Sequence, residues 1–184
     1  MKKLITAVAI VCAAVAVNAA TYDWSASGQF YWGDTATGDE FSSATIYAFD
    51  GNAYDSATIL SALASGSATA LDGALGSGTV DEYANFGFSG SGISDDNGSP
   101  KYINSFLVAV TADGKYATAF NLDPLEVTDA VVASGAELSA DWAMANLPGS
   151  GVAGWTEVAA VPEPTSGLLL LLGFAGLALR RRRA

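Results

Sequence analysis

The chain has no histidine, and its single cysteine, Cys12, lies close to the start. Ser-His-Asp and Cys-His catalysis, histidine zinc sites and imidazole general bases are therefore excluded. Cations are almost as scarce in the middle of the chain: residues 20 to 161 hold 18 acids against two bases, Lys101 and Lys115, and no arginine. Bidentate clamping of phosphate is missing there. A segment with a net charge of −16 also repels phosphate backbones, which removes nucleic acid from the expected partners. No apolar run reaches the ~20 residues that a membrane-spanning helix needs. Carboxylates are left as the only catalytic groups, and divalent cations or neutral and cationic polymers as partners.

At 184 residues the chain is long enough for one domain with a hydrophobic core, flanked by two short segments of different character. The first residues, MKKLITAVAIVCAAVAVNAA, place Lys2 and Lys3 before an apolar stretch from Leu4 to Val17 and end in small residues. This pattern predicts a signal peptide over 1–19, cut between Ala19 and Ala20. Cys12 leaves with it, so the exported chain has no thiol and no disulfide.

The other end reads VPEPTSGLLLLLGFAGLALRRRRA. Leu168 to Leu179 is apolar, interrupted by Gly173 and Gly176, and as a helix it would rise only ~18 Å. Pro162 and Pro164 hold the segment before it extended. Arg180, Arg181, Arg182 and Arg183 prefer the cytoplasmic face, so the tail would halt export with residues 20–160 outside. Val161-Pro162-Glu163-Pro164, a short apolar helix and a terminal arginine cluster resemble a PEP-CTERM sorting signal, also labelled the ice-binding protein C-terminal motif. The resemblance is confined to residues 161–184, and the label carries no sign of ice binding. It implies export across the inner membrane of a Gram-negative-type bacterium. An exosortase would then recognise the Pro-Glu-Pro segment while residues 167–179 lodge transiently in that membrane. Delivery to the cell surface or an exopolysaccharide matrix would follow, with the tail either cleaved or retained.

Between the ends, residues 20–160 are rich in Gly, Ser, Thr, Ala and aromatics, with short apolar stretches broken by turn residues. This predicts an all-β fold, an antiparallel sandwich or jelly-roll-like domain carrying one or two short helices. Asp113-Gly114 marks a hairpin between strands at Asn104 to Thr111 and Lys115 to Leu122, and apolar residues on both sides of the first strand predict two buried faces. Further strands are expected at Tyr22 to Gly28, Gln29 to Gly33, Ala44 to Phe49, Tyr83 to Ser89, Glu126 to Ala133 and Gly154 to Val161. A helix capped by Asp55 or Ser56 and ended by Gly66 is expected, and a second helical turn from Ser139. Ser65 to Thr79 reads as a flexible loop, with at most one strand or turn near Ala70 to Leu75.

The acidic pairs Asp39-Glu40, Asp81-Glu82 and Asp95-Asp96 read as solvated loop acids, because charged residues mostly face water. A glycosidase would need two facing carboxyls drawn from different strands, which adjacency does not supply. Asp95, Asp96 and Asn97, ahead of Gly98, offer oxygen ligands for calcium but lack the ligand series of an EF-hand, so a plain Asn-Gly turn is the preferred reading. Asn97-Gly98-Ser99 is also a short glycan-acceptor sequon. Most aromatics are expected in the core, with Tyr31 and Trp32 the ones most exposed. Together these features predict a non-enzymatic surface or matrix protein. A carbohydrate-binding module is the alternative, and a carboxylate-only hydrolase the remaining enzymatic class.

Overall fold

A computed structural model of the chain describes residues 19–32, 44–144 and 154–159. Residues 1–18 of the expected signal peptide, the Asp39-Glu40 pair and the whole sorting segment, including the apolar run and Arg180 to Arg183, lie outside the described residues. The described part is a β sandwich. Its front sheet has three strands in the order β4-β1-β9: β1 (Thr21–Trp32), β4 (Asn85–Ser94) and β9 (Ala136–Met144). The back sheet has five in the order β10-β7-β6-β2-β3: β2 (Ala44–Asp50), β3 (Gly76–Thr79), β6 (Ser105–Thr111), β7 (Tyr116–Asn121) and β10 (Thr156–Glu157). A small ladder joins β5 (Tyr102–Ile103) to β8 (Leu125–Glu126).

The sandwich forms because the inner faces of the two sheets alternate cleanly with the outer ones. Trp24, Ala26 and Phe30 of β1 and Ala136, Leu138, Ala140 and Trp142 of β9 point inward against Ile46, Ala48, Leu107 and Ala109 of the back sheet. Trp142 is the hub at one side, 4.6 Å from the Phe30 ring centroid and stacked on Phe120 at 5.4 Å. The back sheet is covered on its other face as well. Helix α1 (Ser56–Ala64) lays Ile59 and Leu63 onto Phe49, Phe106, Val108 and Ala117. Asp55 caps this helix by accepting from Thr58 N at 2.9 Å.

Several expectations need correction. The two strands expected at 22–28 and 29–33 are one strand, β1, which runs straight through Gly28. A Cβ at Gly28 would lie 1.8 Å from the Ala140 carbonyl oxygen, so the glycine permits the close approach of β9 and does not break the strand. The β1–β9 pair is parallel, an exception in an otherwise antiparallel sandwich. The helical turn expected from Ser139 is instead strand β9, whose small alanines alternate inward with exposed Glu137, Ser139 and Asp141. The strand expected at 126–133 is instead the two-residue β8 and a short helix, α2 (Asp129–Ser134), capped by Thr128. At the hairpin Gly114 alone takes a positive φ, and the Asp113 carboxylate closes the turn by accepting from the Thr111 hydroxyl at 2.6 Å and from Lys115 N at 3.1 Å. These bonds, the Thr111 hydroxyl first, lower the Asp113 pKa to about 2.

The stretch expected to be a low-complexity loop contributes strand β3. Its glycines have a packing role: a Cβ at Gly78 would meet the Phe88 ring at 2.6 Å, and one at Gly90 in β4 would meet the Trp24 indole at 2.8 Å. Two bulky rings fit between the sheet edges because the facing residues have no side chains. Among the described residues no helix is long and apolar enough to cross a membrane.

Candidate functional site

Polar side chains concentrate at one end of the sandwich, where β1 begins, β4 ends and β2 turns into α1. Directly after β4 comes Asp95, which the sequence suggested as a solvated loop acid. Its residue is 1% exposed. Its carboxylate accepts from Lys101 Nζ at 2.7 Å, from the Tyr22 hydroxyl at 2.9 Å and from Asn97 N at 3.1 Å. Burial alone would raise the Asp95 carboxyl, but these three donors outweigh it and hold the group below the ordinary carboxylate range. Burial, followed by the bond to Asp95, pushes the Tyr22 hydroxyl up. The Lys101 ammonium is raised by its own bond to Asp95.

Asp96 is exposed, and its Oδ1 accepts from Gly98 N and Tyr102 N, both at 2.9 Å, which lowers its pKa. Asn97 sits at φ 56°, as an Asn-Gly turn requires. At the three calcium candidates, protein donors already engage both Asp95 oxygens and Asp96 Oδ1. Among the described residues no group of three or more His, Cys, Asp or Glu is gathered as a metal site. Asp81, from the second acidic pair, likewise turns its carboxylate onto Tyr83 N and Asn85 N.

Sequence reasoning passed over Asp50, which ties the two sheets together. It is 5% exposed, and its carboxylate accepts from Asn52 N at 2.8 Å and from both the backbone and the hydroxyl of Ser94 in β4. Asn52 in turn donates to Ser94 O at 2.9 Å and accepts from Asn104 Nδ2 at 2.6 Å. The loop from β2 into α1 is therefore held in place from below. A cleft of about 330 Å³ opens beside it, lined by Tyr54, Asp55, Ser56, Asn104 and Asn121 among others. Tyr54 is 42% exposed, whereas the aromatics expected to be most exposed were Tyr31 and Trp32. Tyr31 packs, half-buried, against the main core. The residues of the cleft are scattered along the chain, so no local motif announces them.

A second groove, of about 360 Å³, runs between the 120–125 segment and β9, with Asp123, Glu137 and Asp141 along it. Among the described residues the carboxyls displaced from their ordinary value, Asp95, Asp96 and Asp113, all move downward, away from what a general acid needs.

The chain's two ends meet this frame at different places. Ala20 joins the polar end, its carbonyl accepting from Asp95 N at 3.1 Å. The last described residues instead lie by the β6–β7 hairpin: Val158 N donates to Lys115 O at 2.7 Å and Ala159 N to Leu63 O at 3.2 Å. The last described residue, Ala159, thus lies at the end of the back sheet opposite the cleft.

Comparison with known proteins bears on the sorting segment. No curated protein and no solved structure matches the chain. Residues 160–183 match the PEP-CTERM protein-sorting motif, so the chain carries at its C-terminus the signal of an exported protein sorted by an exosortase.

Proposed function

We propose that the chain is a non-catalytic cell-surface or matrix protein whose tail hands it to an exosortase after export and whose β sandwich is the part displayed. The match of residues 160–183 to the sorting motif carries this reading. In it, Val161 to Pro164 form the recognition segment, residues 167–179 lodge in the inner membrane while the enzyme acts, and Arg180 to Arg183 fix the direction. The signal peptide is removed between Ala19 and Ala20 beforehand. The non-catalytic part is supported by the lack of histidine in the chain and of cysteine in residues 20–184, and by the downward displacement of the Asp95, Asp96 and Asp113 carboxyls.

The test is a deletion of residues 161–184, followed by fractionation of cells and medium and by the intact mass of the product. The full chain should be held on the cells and the deletion should release it. Equal retention of both forms would defeat the sorting role. An exopolysaccharide partner is the second reading, favoured by the polar cleft beside the exposed Tyr54.

A further inference from the structure

We infer that the cleft beside Tyr54 binds one ring of a neutral polysaccharide, with Tyr54 as the stacking platform and Asn104, Asn121 and Asp55 as the hydroxyl-reading groups. This rests on the reading of the β sandwich as a displayed, polysaccharide-facing domain. Sugar rings combine an apolar C–H face with a rim of hydroxyls. A site for them needs an exposed aromatic face beside amide and carboxylate groups that have hydrogen-bonding capacity to spare.

The cleft has both. Tyr54 is fixed as a platform before any ligand arrives. Its ring rests on Gly73, where a Cβ would lie 2.4 Å from the ring, and its edge meets the Phe49 ring at 5.8 Å and 72°. Its backbone N donates to Asp50 O at 2.9 Å, and the Asp50 carboxylate anchors that turn to β4. A side chain held this way loses little conformational entropy on binding.

The polar groups opposite have capacity left. Asn104 uses its Nδ2 on Asn52, and its Oδ1 makes no hydrogen bond among the described residues. The Asn121 side chain is exposed and makes none among the described residues. Asp55 commits Oδ2 to the N–H and hydroxyl of Thr58 and keeps Oδ1 for a sugar hydroxyl.

Size and charge narrow the ligand. A volume of about 330 Å³ stands at the lower end of ligand pockets, which suits one ring and not an extended chain. Asp55 within the cleft, and a domain with 18 acids against two bases, disfavour uronic-acid or sulfated polymers. Position agrees: Val158 and Ala159, the last described residues before the sorting segment, lie by Lys115 and Leu63, at the end of the back sheet opposite the cleft. Single-ring affinity is expected to be weak, with a Kd on the order of 1 mM, and many copies on one surface raise it by avidity.

Affinity electrophoresis of the full chain in mild detergent tests this, in gels containing soluble β-glucan, mannan, galactan or, as the acidic control, polygalacturonate. Retardation is expected in at least one neutral gel and not in polygalacturonate. Tyr54→Ala should weaken it at least tenfold and Asn121→Ala severalfold, while Tyr54→Phe and the remote Val132→Ala stay near the parent. Near-UV circular dichroism checks that each variant keeps its packing. No retardation in any neutral gel, stronger retardation in polygalacturonate, or full retardation in both folded Tyr54→Ala and Asn121→Ala would overturn the inference. Because the tail deletion is read by cell retention alone, failure of sugar binding leaves the sorting result standing.

Discussion

Strands β1 and β6 are each central in their sheet, yet their sequences are built differently. In β6, Phe106 and Val108 pack under α1 while Leu107 and Ala109 face the front sheet, so apolar residues follow one another without alternation. In β1, Trp24, Ala26 and Phe30 point inward while Thr21, Asp23, Ser25, Ser27 and Gln29 face outward and are exposed. Among the described residues the back sheet is covered on two faces and the front sheet on one. Residue alternation therefore reports how many faces of a sheet are covered, and the outer face of the front sheet is a field of small hydroxyls where α1 has no counterpart.

The comparison breaks most sharply if a charge is placed on the outer face of each sheet. Val108→Asp buries an unpaired carboxylate beneath α1 and should cost more than about 4 kcal/mol, seen as loss of the cooperative urea transition. Next comes Gly28→Ala, which drives a methyl into the Ala140 carbonyl and should cost the front sheet more than about 2 kcal/mol. Hydrogen exchange should show that loss as weakened protection in β9 before β6.

Asp95→Asn is expected to cost about 1–3 kcal/mol, since Tyr22 and Asn97 lose a charged acceptor while Lys101, 42% exposed at its side chain, can turn to water. This substitution also sharpens the pH behaviour. A carboxyl held low in the folded chain binds protons more readily once unfolded, so its contribution is present above the unfolded value of about 4 and disappears as pH falls through the lower folded value. Asp113, at about 2, acts in the same direction. The parent should therefore lose stability from about pH 4 downward, and Asp95→Asn should flatten that acid limb without removing it. At the alkaline end, the raised Lys101 retains its contribution below its unfolded value of about 10 and loses it as pH rises beyond the folded one. The smallest effect belongs to Ser25→Asp on the open face, within about 0.5 kcal/mol of the parent. A loss comparable to that of Val108→Asp would mean that something covers this face.

How much of this was legible in the sequence depends on how far each signal is local. The β6–β7 hairpin was readable because its turn chemistry and its apolar runs lie within a few residues of one another. The helix α1 was readable from Asp55 and the spacing of Ile59 and Leu63. β9 was not, because Ala136 and Ala140 alternate inward as a strand requires but are good helix formers, and only the parallel pairing with β1 decides between them. α2 failed in the opposite sense: Val131-Val132 favours a strand, and the Thr128 cap prevails. The glycines of β3 looked like flexibility because the rings beside them, Trp24 at Gly76 and Phe88 at Gly78, lie elsewhere along the chain. The polar end shows the same limit. Asp95 was noticed, but its burial follows from Tyr22 and Lys101, and Tyr54 becomes a platform only through Gly73 and Phe49. The sorting motif was legible throughout because it is read as a linear string.

The placement of β1 also governs the order in which the chain can fold. It is the earliest strand, yet one edge pairs with residues 85–94 and the other with 136–144, so an exported chain emerging from its N-terminus presents β1 well before either partner arrives. Pairings this distant make folding slow, and an unpaired strand is open to association in the meantime. The serines along β1 lessen that hazard: half of the waiting strand is already polar, and among the described side chains Trp24, Ala26 and Phe30 are the ones that need full shelter until the back sheet packs against them.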